Sequence, residues 1–314
     1  MKIVFLDLKT VGIIPNLNLL EKYGEVAYYQ TTKPDLISDR IKDADIVITN
    51  KVVLDKNTID NADNLKLICV SATGTNNVDK EAAQRKGIPV KNAIDYSSNS
   101  VAQGTFSLLL HLLCNIPYYD NYVKEGCYSK TDIFTHFGEP FWELSGKRFG
   151  IIGLGNIGRR VAKIAEAFGS EVVYYSASGQ NNHQEYLKLD LEEFLSSSDI
   201  ISIHAPLNKF TSNLINYSRL KLMKSSTILI NAGRGGIVNE TDLARALDEG
   251  LIAKAGIDVF EKEPIDVENP LLKIKNKDRI ALTPHITWAS TEARTLLIGK
   301  VASNIEEFML QQVK

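Results

Sequence analysis

Short apolar runs alternate with helical patterns along almost the whole chain. Each run is rich in β-branched or aromatic residues, and the segment after it repeats apolar residues every three or four positions. This alternation predicts parallel sheets covered by helices. The first part of the chain is predicted to be a small doubly wound unit with strands at residues 3–6, 25–29, 46–49, 67–70 and 89–90.

A second series of strands begins after residue 147. Six parallel strands make a complete dinucleotide-binding sheet. The predicted strands of this series cover residues 148–152, 171–175, 200–204, 227–230, 255–259 and 280–283.

Two long helices define the domain boundaries. A helix over 97–114, ended by Pro117, is expected to cross from the first series to the second. The last helix, 291–310, has no strand after it and is expected to return to the first domain. The predicted domains are therefore 1–97 plus 291–314, which is discontinuous, and 98–290.

Composition excludes several classes of protein. The 314 residues are 44% hydrophobic and 24% charged, with a net charge of -2, so neither nucleic acid nor an anionic membrane is an expected partner. Three cysteines without CxxC spacing argue against a disulfide framework and a zinc site, and favour a reducing, cytoplasmic setting. The N-terminus is predicted to be a strand rather than a signal peptide.

Residues 118–142 are unusually aromatic and are predicted to form an irregular arm. Dense aromatic residues in such an arm often mark a subunit interface, and the alternative is an arm folded onto its own domain. We favour the interface. The aromatic residues are Tyr118, Tyr119, Tyr122, Tyr128, Phe134, Phe137, Phe141 and Trp142.

A glycine-rich turn follows the strand that opens the second series. The pattern GLGNIG spans 153–158 and is followed by an amphipathic helix. Gly153 permits the tight turn, Gly155 lets the backbone approach a pyrophosphate, and Gly158 lets helix and strand pack closely. The helix N-terminus offers N–H groups and a partial positive charge to the phosphates. The turn predicts dinucleotide binding.

The end of the next strand bears on which dinucleotide binds. An acid there would hold the adenosine ribose hydroxyls, but Ser176 occupies this position. The loop 176–182 has no carboxylate to repel a 2′-phosphate and no Arg or Lys to bind one. The sequence therefore leaves NAD and NADP open, and we take NAD as the expected cofactor.

Three loops at the ends of later strands carry residues suited to hydride transfer. Such chemistry needs a cation for the carboxylate and carbonyl oxygens, a group that moves the hydroxyl proton, and a partner that orients that group. Arg234 follows strand 227–230, Glu263 follows 255–259 and His285 follows 280–283. No metal is expected, because Arg234 can supply the electrophilic role and no ligand spacing is present.

These motifs together resemble the D-isomer-specific 2-hydroxyacid dehydrogenase family over essentially the whole chain. The resemblance implies an α/β fold with two doubly wound parallel-sheet domains: a Rossmann dinucleotide-binding domain and a smaller flavodoxin-like substrate domain. The matching segments are 72–79 (ATGTNNVD), 153–158 (GLGNIG), 204–207 (HAPL), 233–235 (GRG), 258–264 (DVFEKEP) and 283–285 (TPH).

The resemblance implies roles for individual residues. Arg234 would bind the substrate carboxylate and the 2-oxygen with its fork of donors. His285 would accept the hydroxyl proton during oxidation and return it during reduction. Glu263 would hold the His285 ring and favour its charged form, and Asp258 would be the nearby acid that tunes the pair. Backbone N–H groups of Thr73 and Gly74 would hold the carboxylate, with the substrate in a cleft between the domains.

The resemblance also implies the cofactor contacts. Besides the glycine turn, it assigns them to Thr105, Asn156, Ile157, Ser176, His204, Ala205, Pro206, Thr211, Ala232 and Asp258. Two departures from the family pattern stand out. Ser176 replaces the usual Asp, and Gln103-Gly104 stands where many relatives have Glu-His. The sequence alone offers no account of the Gln-Gly change.

The substrate is predicted from local similarity. Glu263 sets aside the formate dehydrogenases, which pair the histidine with Gln. Segments 73–79 and 284–290 are similar to those of bacterial glycerate dehydrogenases, so hydroxypyruvate/D-glycerate is favoured, with glyoxylate second. Trp288 is expected either to shape the substrate pocket or to pack beneath its loop.

Two alternatives remain open. D-lactate/pyruvate is the alternative substrate pair, and a dinucleotide-binding sensor or corepressor without turnover is the alternative class. The complete set of Arg234, Glu263 and His285 argues against the sensor. The family resemblance and the aromatic arm both imply a homodimer.

Overall fold

The computed structural model describes residues 1–182 and 185–312 of the protein. Its strands are β1 (Lys2–Phe5), β2 (Glu25–Tyr28), β3 (Ile46–Thr49), β4 (Leu67–Val70), β5 (Val90–Asn92), β6 (Arg148–Ile152), β7 (Glu171–Tyr175), β8 (Leu187–Lys188), β9 (Ile200–Ile203), β10 (Ile228–Asn231), β11 (Lys254–Ile257) and β12 (Ile280–Leu282). Its α-helices are α1 (Ile37–Ile41), α2 (Lys56–Asp60), α3 (Lys80–Arg85), α4 (Ser98–Leu113), α5 (Ile116–Lys124), α6 (Asn156–Ala167), α7 (Leu191–Ser197), α8 (Tyr217–Leu220), α9 (Glu240–Glu249) and α10 (Thr291–Gln312).

The chain divides into two compact units. Unit 1 contains Met1–Ser97 and Ala289–Lys314, and unit 2 contains Ser98–Trp288. The sequence interpretation placed the second boundary after residue 290. The final two residues of its segment 291–314 lie outside the described residues.

Unit 1 contains a five-stranded parallel sheet in the order β2-β1-β3-β4-β5. Every residue of β3 and β4 is buried, which explains why these strands are continuous apolar runs rather than alternating ones. The last helix, α10, buries Leu297, Ile298 and Val301, and it packs against β4. The predicted flavodoxin-like order is therefore confirmed for this unit.

Unit 2 contains a seven-stranded parallel sheet in the order β12-β11-β10-β9-β6-β7-β8. The order reverses between β6 and β9, and ligands of such sheets bind outside the strand ends at this switch point. The predicted Rossmann class is confirmed. The prediction of six strands missed β8, because its two exposed residues form no apolar run.

Helix α4 packs across the sheet of unit 2. Leu108, Leu109 and Leu112 are buried on its inner face. Gly256 of β11 makes room for the helix, since a Cβ there would lie 3.2 Å from Leu108 Cβ. The helix reaches the strands whose ends carry the site described below.

The prediction for Pro117 was wrong in part. Helix α4 already ends at Leu113, and Asn115 has a left-handed backbone with φ 51°. Pro117 lies in the first turn of α5, where its missing N–H has no helical partner to lose. The first part of the aromatic segment is therefore helical and not irregular.

The rest of the aromatic segment, 125–142, is held by hydrogen bonds to its own unit. The hydroxyl of Tyr119 donates to the carbonyl of Glu139 at 2.6 Å, and that of Tyr128 donates to the carbonyl of Phe134 at 2.6 Å. Phe134 and Phe137 nevertheless remain 91% and 90% exposed. We call residues 125–142 the aromatic arm below.

None of the helices in the described part of the chain is long and apolar enough to cross a membrane. Within the same residues, no group of three His, Cys, Asp or Glu side chains could hold a metal ion.

Candidate active site

The glycine turn joins β6 to α6 at the switch point of the sheet. Gly153 has φ 92°, and a Cβ there would lie 2.7 Å from the backbone nitrogen of Ala205. A Cβ at Gly158 would lie 2.3 Å from the carbonyl oxygen of Gly153. A side chain at either position is therefore excluded by backbone, as the roles of these glycines require.

Gly155 differs from the other two glycines of the turn, because a Cβ at Gly155 would meet no atom within 4 Å. Gly155 is also the N-cap of α6, and no side chain caps the helix. The first N–H groups of α6 therefore face open space beside a helix N-terminus, which is the environment that a pyrophosphate needs. The turn fits a dinucleotide on these grounds.

The loop after β9 packs against the glycine turn. Ala205 is buried beside Gly153, and the hydroxyl of Thr211 donates to the carbonyl of Pro206 at 2.6 Å. His204 shares a hydrogen bond between Nε2 and the Ser202 hydroxyl at 2.7 Å, while its Nδ1 is buried without a partner among the described residues. Burial lowers the pKa of His204 from its ordinary value of 6.5 to about 3.

Ser176 directly follows β7 and is buried. The side chain of Asn181 ties its loop to the glycine turn by donating to the Leu154 carbonyl at 2.8 Å. Lys188 of β8 reaches the same loop, with Nζ 3.1 Å from Asn182 Oδ1. The sequence reading missed this cation because it considered only residues 176–182, and the pairing of Tyr174 with Lys188 brings it there.

His285 and Glu263 form a direct pair. Nδ1 of His285 lies 2.8 Å from Oε2 and 3.0 Å from Oε1 of Glu263. Oε1 also accepts the backbone N–H of Phe260 at 3.1 Å, which fixes the carboxylate. Because Nδ1 faces Glu263, the other ring nitrogen, Nε2, is the one that can exchange a proton with a substrate.

Asp258 is completely buried, and its carboxylate accepts four hydrogen bonds. Oδ1 accepts from the Thr283 hydroxyl at 2.6 Å and the Ile286 N–H at 2.8 Å. Oδ2 accepts from the N–H and the hydroxyl of Thr287, at 3.1 and 2.6 Å. The carboxylate therefore holds the backbone around His285, and its predicted tuning of the His285–Glu263 pair stays a prediction. Its predicted cofactor contact stays a prediction.

Arg234 lies in the loop after β10. Its Nη1 donates to the Gly233 carbonyl at 2.8 Å, and the side chain of Asn231 holds the loop by bonding to the Arg234 carbonyl and the Gly233 N–H. A Cβ at Gly235 would lie 1.9 Å from the carbonyl oxygen of Phe260, so this loop packs directly on the loop that carries Glu263. Sequence reasoning missed the role of Asn231.

The sheet order brings the three predicted catalytic loops to one edge. Strands β10, β11 and β12 are parallel neighbours, so the loops that carry Arg234, Glu263 and His285 lie side by side.

Ala232 is buried at the end of β10, and Trp288 is half-buried after the histidine. Thr105 is fully buried in α4 and donates its hydroxyl to the Val101 carbonyl at 2.8 Å. The predicted contacts of Ala232, Trp288 and Thr105 stay predictions.

Thr73 and Gly74 follow β4 in unit 1. The carbonyl of Thr73 accepts a hydrogen bond from the Asn92 side chain at 2.7 Å. Neither N–H donates to another residue in the described parts of the chain. Their predicted role in holding a carboxylate stays a prediction.

Comparison with known proteins defines the class. The family model "D-isomer specific 2-hydroxyacid dehydrogenase, NAD binding domain" matches residues 106–287. A glycerate dehydrogenase of Methylorubrum extorquens is 38% identical, over 98% of this chain and 96% of its own length. A hydroxypyruvate reductase of Blautia hydrogenotrophica is 39% identical, over 92% and 91%. The chain belongs to the D-isomer-specific 2-hydroxyacid dehydrogenase family, and it is an oxidoreductase with a nicotinamide dinucleotide as cofactor.

Solved structures agree with this class. An acyclic imino acid reductase in complex with NADPH and D-Arg has a TM-score of 0.87 and 29% identity, covering 99% of this chain and 98% of the other. A D-lactate dehydrogenase of Aquifex aeolicus, complexed with NAD and lactic acid, has a TM-score of 0.86 and 26% identity, covering 100% and 96%.

Proposed function

We propose that the protein reduces hydroxypyruvate to D-glycerate, with glyoxylate as a second substrate. The observation that carries the proposal is the His285–Glu263 pair at 2.8 Å. The pair joins the loops after β12 and β11, and the loop of Arg234 follows the next strand, β10. The names of the relatives at 38–39% identity support the choice of substrate.

Proton transfer in this reaction is assigned to His285. When bound, the dinucleotide supplies the hydride that reaches C2 of the keto acid. Nε2 of His285 gives its proton to the carbonyl oxygen. Before this transfer, Glu263 stabilises the imidazolium form of His285, and it holds the ring through Nδ1. In the direction of oxidation, the neutral ring accepts the hydroxyl proton.

Arg234 binds the substrate in this proposal. Its guanidinium carries parallel donors that match a carboxylate and the adjacent 2-oxygen. The positive charge also stabilises negative charge that develops on the carbonyl oxygen, so no metal ion is needed for that task. Asn231 keeps the loop in place by bonding on both sides of the arginine backbone.

The cofactor is held at the turn 153–158 and by the loops after β7 and β9. We take NAD as the expected dinucleotide, with NADP as the alternative. The absence of an acid at Ser176 and the nearness of Lys188 to its loop both favour tolerance of a 2′-phosphate.

Steady-state assays test the proposal directly. Hydroxypyruvate, glyoxylate and pyruvate are each assayed with NADH and NADPH. The proposal requires the highest kcat/KM for hydroxypyruvate, and a preference for pyruvate would favour the D-lactate alternative. His285→Ala and Arg234→Ala should lower kcat/KM by about a hundredfold or more, with NADH binding retained. Near-normal turnover in His285→Ala would refute its role, and tight NADH binding without turnover of any keto acid would favour the sensor.

We assign a homodimer to the protein, with the aromatic segment 118–142, which includes the aromatic arm, at the interface. Exposed aromatic side chains on an ordered segment are typical of such surfaces. A cytoplasmic location is proposed because the three cysteines are free thiols. Light scattering and cell fractionation test these two assignments.

A further inference from the structure

Gly104 is an unusual residue for its place in the fold. It lies in the middle of α4, where glycine is among the least favourable residues and its conformational freedom is not used. A Cβ at Gly104 would lie 2.7 Å from both Cβ and Cγ2 of Thr287 and 3.1 Å from Thr287 Cα. The space of the missing side chain is therefore filled by Thr287.

Thr287 cannot retreat easily, because it is held from other directions. Its N–H and its hydroxyl both donate to Asp258 Oδ2. Its carbonyl accepts the hydroxyl of Ser100 at 2.6 Å, one turn before Gly104 on α4. Thr287 is buried between these groups, so a side chain added at position 104 has to displace it.

His285 precedes Thr287 by two residues, and both residues donate hydrogen bonds to Asp258. Its backbone is left-handed with φ 51°, and its N–H donates to the carbonyl of Asp258 at 2.8 Å. A residue with a side chain keeps such a conformation only when its surroundings enforce it. A displacement of Thr287 is therefore transmitted to the position of the imidazole.

We propose that Gly104 is a positioning residue, and that its contact with Thr287 sets the place of His285. The proposal rests on the proposed role of His285 in proton transfer. It also accounts for one departure from the family pattern: position 104 holds glycine because position 287 holds a side chain that needs its space. A larger residue at 104 requires a smaller one at 287.

A double-mutant cycle tests the pair. The variants are Gly104→Ala, Thr287→Gly and the double variant, assayed with hydroxypyruvate and NADH for kcat and KM, and with NADH alone for Kd. Gly104→Ala should lower kcat by about 10- to 100-fold, because small misplacements of a reacting group have effects of this size. The Kd for NADH should change less than about twofold. In the Thr287→Gly background, the same Gly104→Ala change should lower kcat by about twofold at most.

Gly299→Ala is the matched control. It makes the same chemical change inside a helix, α10, where a Cβ would meet no atom within 4 Å. Its kcat should equal that of the unmodified enzyme. A normal kcat in Gly104→Ala, or an equal loss in both backgrounds, would overturn the proposal.

Two further measurements keep the outcomes separate. If Gly104→Ala does not fold, Ser100→Ala replaces it, because this change removes the hydrogen bond from α4 to the Thr287 carbonyl. A severalfold fall in kcat supports the positioning role of the contact between α4 and Thr287, and an unchanged kcat overturns it. His285→Ala is assayed in parallel. Loss of turnover there, together with normal Gly104→Ala, refutes only the positioning role, whereas near-normal turnover in His285→Ala refutes the proposed function.

Discussion

Acid should destabilise unit 2 through His204. Burial lowers the pKa of this imidazole to about 3, against 6.5 for an ordinary histidine, and its Nδ1 has no partner among the described residues. The unfolded chain therefore binds a proton at a pH where the folded chain does not. For a base with a lowered folded-state pKa, stability is lost as the pH falls below 6.5, and the loss continues to about pH 3.

The size of this effect follows from proton linkage. Between pH 7 and pH 5, a shift from 6.5 to about 3 removes roughly 2 kcal/mol from the free energy of unfolding. This amount is a substantial fraction of the stability of an ordinary domain. Other groups titrate in the same range, so the value has to be read as a difference from a variant without this imidazole.

The assay is urea unfolding of the unmodified protein and of His204→Gln at several pH values. Glutamine does not titrate, and its amide can keep a hydrogen bond to Ser202 in place of Nε2. The gap between the two unfolding free energies should change by roughly 2 kcal/mol between pH 7 and pH 5, in favour of the variant at low pH. Parallel pH curves for the two proteins would show that His204 does not titrate as argued.

Three further changes have defined outcomes. Asp258→Asn should lower the free energy of unfolding by about 2–3 kcal/mol and kcat by at least tenfold, since the amide cannot accept all four hydrogen bonds. The control is Asp266→Asn, because the Asp266 side chain is 43% exposed, and equal urea midpoints for the two variants would contradict the reasoning. Ser176→Asp should raise the KM for NADPH about tenfold or more and leave the KM for NADH unchanged, because a carboxylate repels the 2′-phosphate. An unchanged ratio of the two KM values would contradict a position of Ser176 beside the 2′-phosphate. Phe134→Ser/Phe137→Ser should convert the proposed homodimer to monomers in light scattering, whereas Val267→Ser, also at a highly exposed apolar position, should not. A dimer that persists in the Phe134→Ser/Phe137→Ser variant at micromolar concentration would contradict an interface at the arm.

The sequence predicted the elements whose signals are local. Continuous apolar runs identified the buried strands, and the glycine turn was recognisable because each glycine answers a separate steric requirement at a strand–helix junction. The short strand β8 gave no such signal. The pairing of β8 with β7, which places Lys188 opposite Tyr174, therefore could not be predicted. For this reason the approach of Lys188 to the Ser176 loop was not foreseen.

The candidate site shows the same division between local and nonlocal information. The His285–Glu263 contact was expected from the family motifs, and the structure contains it at 2.8 Å. The hydrogen bonds of the Asp258 carboxylate to the backbone around His285 were not foreseen, because a motif shows that an acid is present but not which donors surround it.

Gly104 shows most clearly why sequence patterns stop short. In the sequence it is an isolated departure inside a helix, and its partner Thr287 lies more than 180 positions further along the chain. Only the packing of α4 against the loop after β12 turns the two residues into a steric pair. Residues that carry chemistry are recognisable by type, whereas residues that hold them in place are recognisable only by their neighbours. The machinery that positions His285 therefore has to be found from contacts, and it is where substitutions remote from the motifs should still change turnover.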